Sequence, residues 1–236
     1  ASGRISKLTA YILLLGIIVF VIVILIFVIP NIGFIVMLLL LIITGQAYNH
    51  FFKNFAFADI LVLSLGYIWR SLSGCLLINV YISPWLFLAI FEIALFLVIA
   101  KRKGDLILLG EKKAEKHKKS YDEYSLDLLE QFHNMIGGSL FITYALYLIL
   151  RFDLFSQEGL LINDYLVFLT LPALLYIIMR YLYLINESPE AARNAELVFF
   201  DKGIVIAGLF MGAILGYVFY YDLVLTVIDK YIIDIL

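Results

Sequence analysis

The sequence predicts an all-α polytopic membrane protein with seven transmembrane helices. Three observations lead there. Of 236 residues, 64% are hydrophobic and only 15% charged, with a mean hydropathy of +1.03; a water-soluble chain of this length cannot hide that much apolar surface. The apolar residues form continuous runs of membrane-spanning length, not the alternating segments of about ten residues that build a membrane barrel. Lysine and arginine then collect in alternate loops, the bias that orients membrane helices.

The first run, from about Leu8 to Val28, carries no charge and reaches the roughly 20 residues that a span needs. It is longer than the apolar stretch of a cleavable signal and is read as a span, 8–29. The second span, 32–48, is short and rests on IGFIVMLLLLIITG. Others are expected at about 58–80, 84–101, 127–151, 164–184 and 203–222. Turns at Pro30-Asn31 and Ser83-Pro84 make the spans on either side antiparallel hairpins. The tail DLVLTVIDKYIIDIL is apolar with sparse charge and is expected at the outer interface. Residues 1–236 read as one transmembrane domain. The single cysteine, Cys75, excludes an internal disulfide and a Cys-based metal cage.

Charge sets the expected orientation. The segment KRKGDLILLGEKKAEKHKKSYDEYS holds Lys101, Arg102, Lys103, Lys112, Lys113, Lys116, Lys118 and Lys119, and is expected in the cytoplasm. Arg4, Lys7, Lys53, Arg193 and Lys202 fall on the same side, while Arg151 and Lys230 fall outside. The expected location is therefore the cell membrane, with the polar site facing the cytoplasm.

Polar residues concentrate in three stretches on that side: GQAYNHFFKNFAFAD, the long basic segment, and INESPEAARNAELVFFDK. Their density of cations suits an anionic substrate. Glu123 and Asp127 are four apart, so on a helix they share a face. Paired carboxylates at a membrane mouth suit Mg²⁺ and, through it, a diphosphate; they equally suit a solvated helix start. Lys101 and Asp105 have ion-pair spacing along a helix. Arg70 sits in the middle of a span, where a cation costs about 2.5 kcal/mol or more without a partner. Arg180 is nearer a span end and within reach of the interface. Tyr48 and Lys53 suit either an interface anchor pair or phosphate contacts. His50, His117 and His133 lack metal-ligand spacing.

Several segments, in order, carry more than composition: ASGRIS (Ala1–Ser6), DILVLSLGYIWRSLSG (Asp59–Gly74), ISPWLFL (Ile82–Leu88), KRKGDL (Lys101–Leu106), EYSLDLLEQF (Glu123–Phe132), RYLYLI (Arg180–Ile185) and the pair Asp201-Lys202. In these the chain resembles the UbiA-type prenyltransferase superfamily, and within it the decaprenyl-phosphate phosphoribosyltransferase branch. The resemblance implies a nine-helix fold around a cavity, with two acidic motifs that hold Mg²⁺. It places this chain as helices three to nine, with Glu123 and Asp127 in the second motif. The first motif, an N-x-x-x-D-x-x-x-D element, is not found in the sequence, and a chain without it is expected not to complete the reaction.

The implied reaction is phosphoribosyl transfer from phosphoribosyl diphosphate to a polyprenyl phosphate in the lipid bilayer, with no role for nucleic acid. Implied substrate-binding residues are Arg4, Tyr48, Lys53, Arg70, Lys101, Arg102, Asp105, Tyr124, Ser125 and Arg180. An aromatic prenyltransferase using a prenyl diphosphate, or a non-catalytic scaffold or transporter, are the alternatives. A retinal protein is excluded, since the last span, GIVIAGLFMGAILGYVFYY, has no lysine.

Overall fold

The computed structural model describes residues 6–27, 31–81, 83–109, 119–152 and 165–221. Arg4, the lysines from Lys112 to Lys118, and the tail from Asp222 with Lys230 lie outside the described residues. Seven helices are long and apolar enough to cross a membrane, and the chain is an integral membrane protein. They are α1 (Lys7–Phe27), α2 (Ile32–His50), α3 (Ala58–Leu77), α4 (Pro84–Leu109), α5 (Leu126–Arg151), α6 (Thr170–Glu187) and α9 (Lys202–Phe219). Two short helices, α7 (Pro189–Arg193) and α8 (Ala195–Phe199), fill the connection between α6 and α9.

Each boundary has a local cause. The Asn31 side chain accepts from the Phe34 N–H and starts α2, while its amide donates to the Leu76 carbonyl and ties this turn to the end of α3. Ser125 caps α5 by accepting from the Leu128 N–H, and Asp127 sits in the first turn, where the helix dipole favours an acid. Ser188 caps α7, with Pro189 at its first position. A short 3₁₀ turn, Val167–Leu169, leads into α6 at Thr170, and Pro172 stands in the first turn of that helix, where a missing N–H costs nothing.

The largest departure from expectation is α4. Instead of leaving the helix near residue 101, the chain continues helical through KRKGDLILL to Leu109. No proline interrupts the run, and one side of the extra two turns is buried, Arg102 being 2% exposed and Lys103 5%, while Lys101, Ile107 and Leu108 face outward. A segment that composition marks as loop is the polar end of the central helix.

α4 packs on both sides. Toward α3 and α5 it forms a core of Ile60, Leu95, Val98, Ile99, Leu106, Tyr121, Tyr124 and Leu129. Toward α5, α6 and the α7–α9 segment, Phe96 and Ala100 join Leu140, Ile178, Tyr181, Ile185 and Ile204. Gly137 lets α5 approach closely here, since a Cβ at that position would lie 3.2 Å from the Phe96 ring. Outward-facing residues are mostly apolar, as a lipid solvent requires. α1 is exposed along its whole apolar window.

α6 and α9 are locked at one end by Arg180 and Asp201. Arg180 donates from Nε and Nη2 to the two carboxylate oxygens at 3.1 and 3.0 Å. Oδ1 of Asp201 also accepts from the Gly203 and Ile204 N–H groups, capping α9. Arg180 is thus a fastener between two helices, besides stacking over Tyr183. Its hydrogen bonds hold the Asp201 carboxyl below the ordinary carboxylate range. A group depressed in this way contributes stability above its unfolded range and loses it as pH falls through the folded value. Asp201→Ala, which removes both cap and ion pair, is expected to lower the thermal midpoint more than Asp201→Asn, which keeps a capping oxygen. The gap between wild type and Asp201→Asn should close in acid, as followed by thermal unfolding in detergent at pH 7 and pH 3.

Candidate functional site

The ends of α2, α4 and α6 and the starts of α3, α5 and α9 lie at one end of the bundle, and the sequence-marked polar residues follow from that topology. At its centre is Arg102, carried on the last turns of α4. Its Nε donates to Asp59 Oδ2 at 2.7 Å, Nη2 to the Tyr48 hydroxyl at 3.0 Å and Nη1 to the Tyr121 hydroxyl at 3.3 Å. Asp105, one turn on, lies 3.7 Å from Nη1 and accepts from the Tyr121 hydroxyl at 2.8 Å. Its other oxygen meets Arg193 of α7 at 3.3 Å. The pairing expected between Lys101 and Asp105 is therefore replaced: Lys101 is exposed, and Asp105 turns toward Arg102, Tyr121 and Arg193.

Asp59 is fully buried in the first turn of α3. Its second oxygen accepts from the Tyr124 hydroxyl at 2.5 Å, and that hydroxyl accepts from the Phe57 N–H at 2.6 Å. A carboxylate and a guanidinium buried together are tolerated only when the remaining donors and acceptors are also filled, and here two tyrosines on the α4–α5 connection fill them. Both hydroxyls resist ionisation, Tyr121 and Tyr124 being pushed up by burial and by the carboxylates each one faces. They remain neutral donors throughout the physiological range.

The approach to α3 is strained. Phe57 has φ 63° and ψ −47°, and the Ala58 N–H donates to the Ala56 carbonyl at 2.6 Å. This is a γ-turn of the rare, strained hand. It costs about 1–3 kcal/mol and is held by the Tyr124 bond and by edge-on packing of the Phe57 ring against Tyr124 and Phe132. The same ring lines an apolar pocket of about 180 Å³ with Ile60, Leu95, Ile99, Phe132 and Ile136.

The other candidates fall into place around this centre. Lys53, on the 3₁₀ turn Phe52–Asn54, is exposed, and its carbonyl accepts from the Ser120 hydroxyl, tying the two connections together. Glu123 ends the 3₁₀ turn Lys119–Glu123, whereas Asp127 belongs to α5, so the two do not share a helical face; the Ser125 cap separates them. Both are exposed. Among the described residues, no group of three or more His, Cys, Asp or Glu could hold a metal ion. Arg70 is elsewhere. It lies eleven residues, about 16 Å, further along α3 from Asp59. It is exposed, with its guanidinium over the Tyr67 ring at 5.7 Å.

Sequence reasoning passed over Asp59 and Tyr121 as partners of Arg102, and over Lys103, which bonds Asn186 at 2.6 Å and Glu130 at 3.1 Å. It also passed over Glu92, an acid inside the fourth span whose presence was itself a signal.

Compared with known proteins, the chain matches no protein-family model and no curated protein at a significant level. The resemblance drawn from its motifs therefore stands on those motifs alone.

Removing Asp59 leaves a buried guanidinium without its counter-charge. Asp59→Ala is expected to cost about 3–5 kcal/mol in unfolding experiments, while Tyr48→Phe costs about 1 kcal/mol. Phe57→Gly should be more stable than Phe57→Ala by about 1 kcal/mol, because both lose the ring and only glycine relieves the turn; equal stabilities would show that the turn carries no strain.

Proposed function

We propose that the chain is a membrane transferase that moves 5-phosphoribose from phosphoribosyl diphosphate to a polyprenyl phosphate, such as decaprenyl phosphate, at the cytoplasmic face of the cell membrane. One observation supports this above the rest. The polar centre built on Arg102 and the apolar pocket share Phe57, whose N–H reaches Tyr124 while its ring lines the pocket. A lipid with an isoprenoid tail and an anionic head matches that adjacency: tail against Ile60, Leu95, Ile99 and Phe132, head among the cations at the bundle end.

In this reading Arg102, buried and paired with Asp59, is the fixed frame of the head-group site. Asp59, Tyr48 and Tyr121 hold it so that little reorganisation accompanies binding. Lys53 and Lys101, both exposed at the same end, are free to follow a diphosphate. The acceptor's phosphate oxygen attacks the anomeric carbon, the bond from that carbon to diphosphate breaks, and diphosphate leaves with the electron pair. The apolar wall of Phe57 and Phe132 keeps water from competing for the same carbon.

Mg²⁺ is implied by the resemblance. It binds through one or two carboxylates together with phosphate oxygens and waters, and the exposed Glu123 and Asp127 fit that requirement without forming a closed cage. When bound it would neutralise charge on the diphosphate.

The test is transfer of label from [¹⁴C]ribose-labelled phosphoribosyl diphosphate into the lipid fraction. Protein containing this chain, in liposomes with polyprenyl phosphate and Mg²⁺, is expected to label the lipid, and chelation of Mg²⁺ to abolish it. Glu123→Gln with Asp127→Asn should lower the rate at least 100-fold. The chain alone should bind polyprenyl phosphate at least tenfold more tightly than the matching polyprenol, and Lys101→Ala should narrow that margin. Absence of both ribose transfer and head-group preference would end the proposal, and consumption of a prenyl diphosphate with an aromatic acceptor would favour the aromatic prenyltransferase.

A further inference from the structure

The α4–α5 interface carries a second set of polar groups that the Arg102 centre does not use. Five buried side-chain nitrogen and oxygen atoms lack a hydrogen-bond partner among the described residues, and four of them lie along this seam: Glu92 Oε2, His133 Nδ1 and Nε2, and the Tyr181 hydroxyl facing it from α6. In a membrane interior such atoms are costly, and a cluster of them in one line signals bound water or a mobile proton.

The order along the seam is specific. At the Arg102 end, Lys103 is bonded to Glu130 and Asn186. One turn further into α5 lies His133, 1% exposed, with Tyr181 at 6.0 Å between ring centroids. Deeper still is Glu92, 5% exposed. Its Oε1 accepts from Ser139 at 2.5 Å and from Thr143 at 3.1 Å, and Oε2 is bare. Beyond it, Thr143 also lines a pocket of about 330 Å³ with Ser83, Trp85, Tyr144 and Tyr147, at the end of the bundle away from Arg102.

Between the two halves stands one aromatic ring. Phe96, one turn from Glu92, packs 4.1 Å from the His133 ring centroid, 4.9 Å from that of Tyr181, and against Gly137.

We propose that this seam is a proton path through the bundle, closed at Phe96. His133 and Tyr181 form its half toward the Arg102 end, and Glu92 with Ser139 and Thr143 forms its half toward the pocket. The ionisable groups bordering it are Lys103 on α4, Glu130 and His133 on α5 with Tyr144 and Tyr147 at the pocket, and Tyr181 on α6. Arg70 on α3 is exposed, with its guanidinium over the Tyr67 ring. Among the described residues no base forms an ion pair with Glu92, and its second oxygen is left to a partner that the surrounding side chains do not supply. An apolar ring in a hydrated row is a barrier to water and ions. The path therefore stays shut until the ring turns or is removed.

The test is proton flux in liposomes holding the purified chain, with a potassium diffusion potential set by valinomycin and a pH-sensitive dye. Phe96→Ala and the milder Phe96→Leu are expected to raise proton entry at least tenfold over the unmodified protein. Adding Glu92→Gln or His133→Ala to either variant should return it to baseline. Flux that persists in these double variants would mean that the substitution merely loosened the helices, and the proposal falls. It falls equally if well-folded Phe96 variants remain tight, or if sodium ions cross as readily as protons. A second measurement needs no substitution at Phe96. Dicyclohexylcarbodiimide, to which a protonated carboxyl in apolar surroundings adds to leave a stable acylurea, should label Glu92 in the unmodified chain, as read by peptide mass spectrometry. Absence of that adduct, with labelling at a control carboxyl, would overturn the assignment whatever the Phe96 variants do.

Discussion

A guanidinium taken out of water must be met by fixed acceptors, and the Asp59–Arg102 pair meets that demand by fastening the start of α3 to the end of α4. Nearly everything at this end of the bundle follows from it. The pair sets the register of two antiparallel helices. Asp59 needs a further donor and recruits Tyr124; Arg102 needs further acceptors and recruits Tyr48 and Tyr121. Tyr121 and Tyr124 hold the turn before α5 over the site, and Ser120 ties it to the turn before α3. The strained turn at Phe57 is part of the same construction, since its N–H is one of the bonds that position Tyr124. In a hydrocarbon solvent packing alone distinguishes poorly between neighbouring helices, so a buried polar network of this kind supplies specificity that apolar contacts lack.

The all-α class, the seven spans and the α3–α4 hairpin at Ser83-Pro84 were legible because each depends on local composition alone. Helix starts beside prolines were legible for the same reason: Asn31 and Pro84 act within one turn of themselves. The extent of α4 was not. KRKGD reads as solvated when counted by charge, and only partners remote in sequence, Asp59, Tyr48 and Asn186, make its burial tolerable. Arg70 shows the reverse error. Its depth in the span was readable, but its direction around the helix was not, and it faces outward over Tyr67 instead of into the polar centre. Glu123 and Asp127 were placed at the correct end of the bundle while their shared helical face was lost to the Ser125 cap, a break that spacing does not reveal.

Two cores flank α4 and divide its labour. The one toward α3 supports the Arg102 centre and its apolar pocket; the one toward α6 surrounds Phe96 and the orphaned polar atoms. Because both are built on neighbouring faces of a single helix, a change in the tilt of α4 would be felt on both at once. Rigid packing across Gly137 and the buried Lys103–Asn186 contact restrain such movement.

α1 stands apart from this arrangement. Its apolar window has no buried residue, and the first firm attachment after it is the Asn31 amide on the Leu76 carbonyl. A helix that few described neighbours hold answers to the thickness of the membrane around it, since a span of about 30 Å relieves mismatch by leaning. The seam at Asn31 absorbs that lean. Sterol content or acyl-chain length can then swing the first helix like a gangplank while the Arg102 centre, fastened from the opposite end of α3, stays where it is.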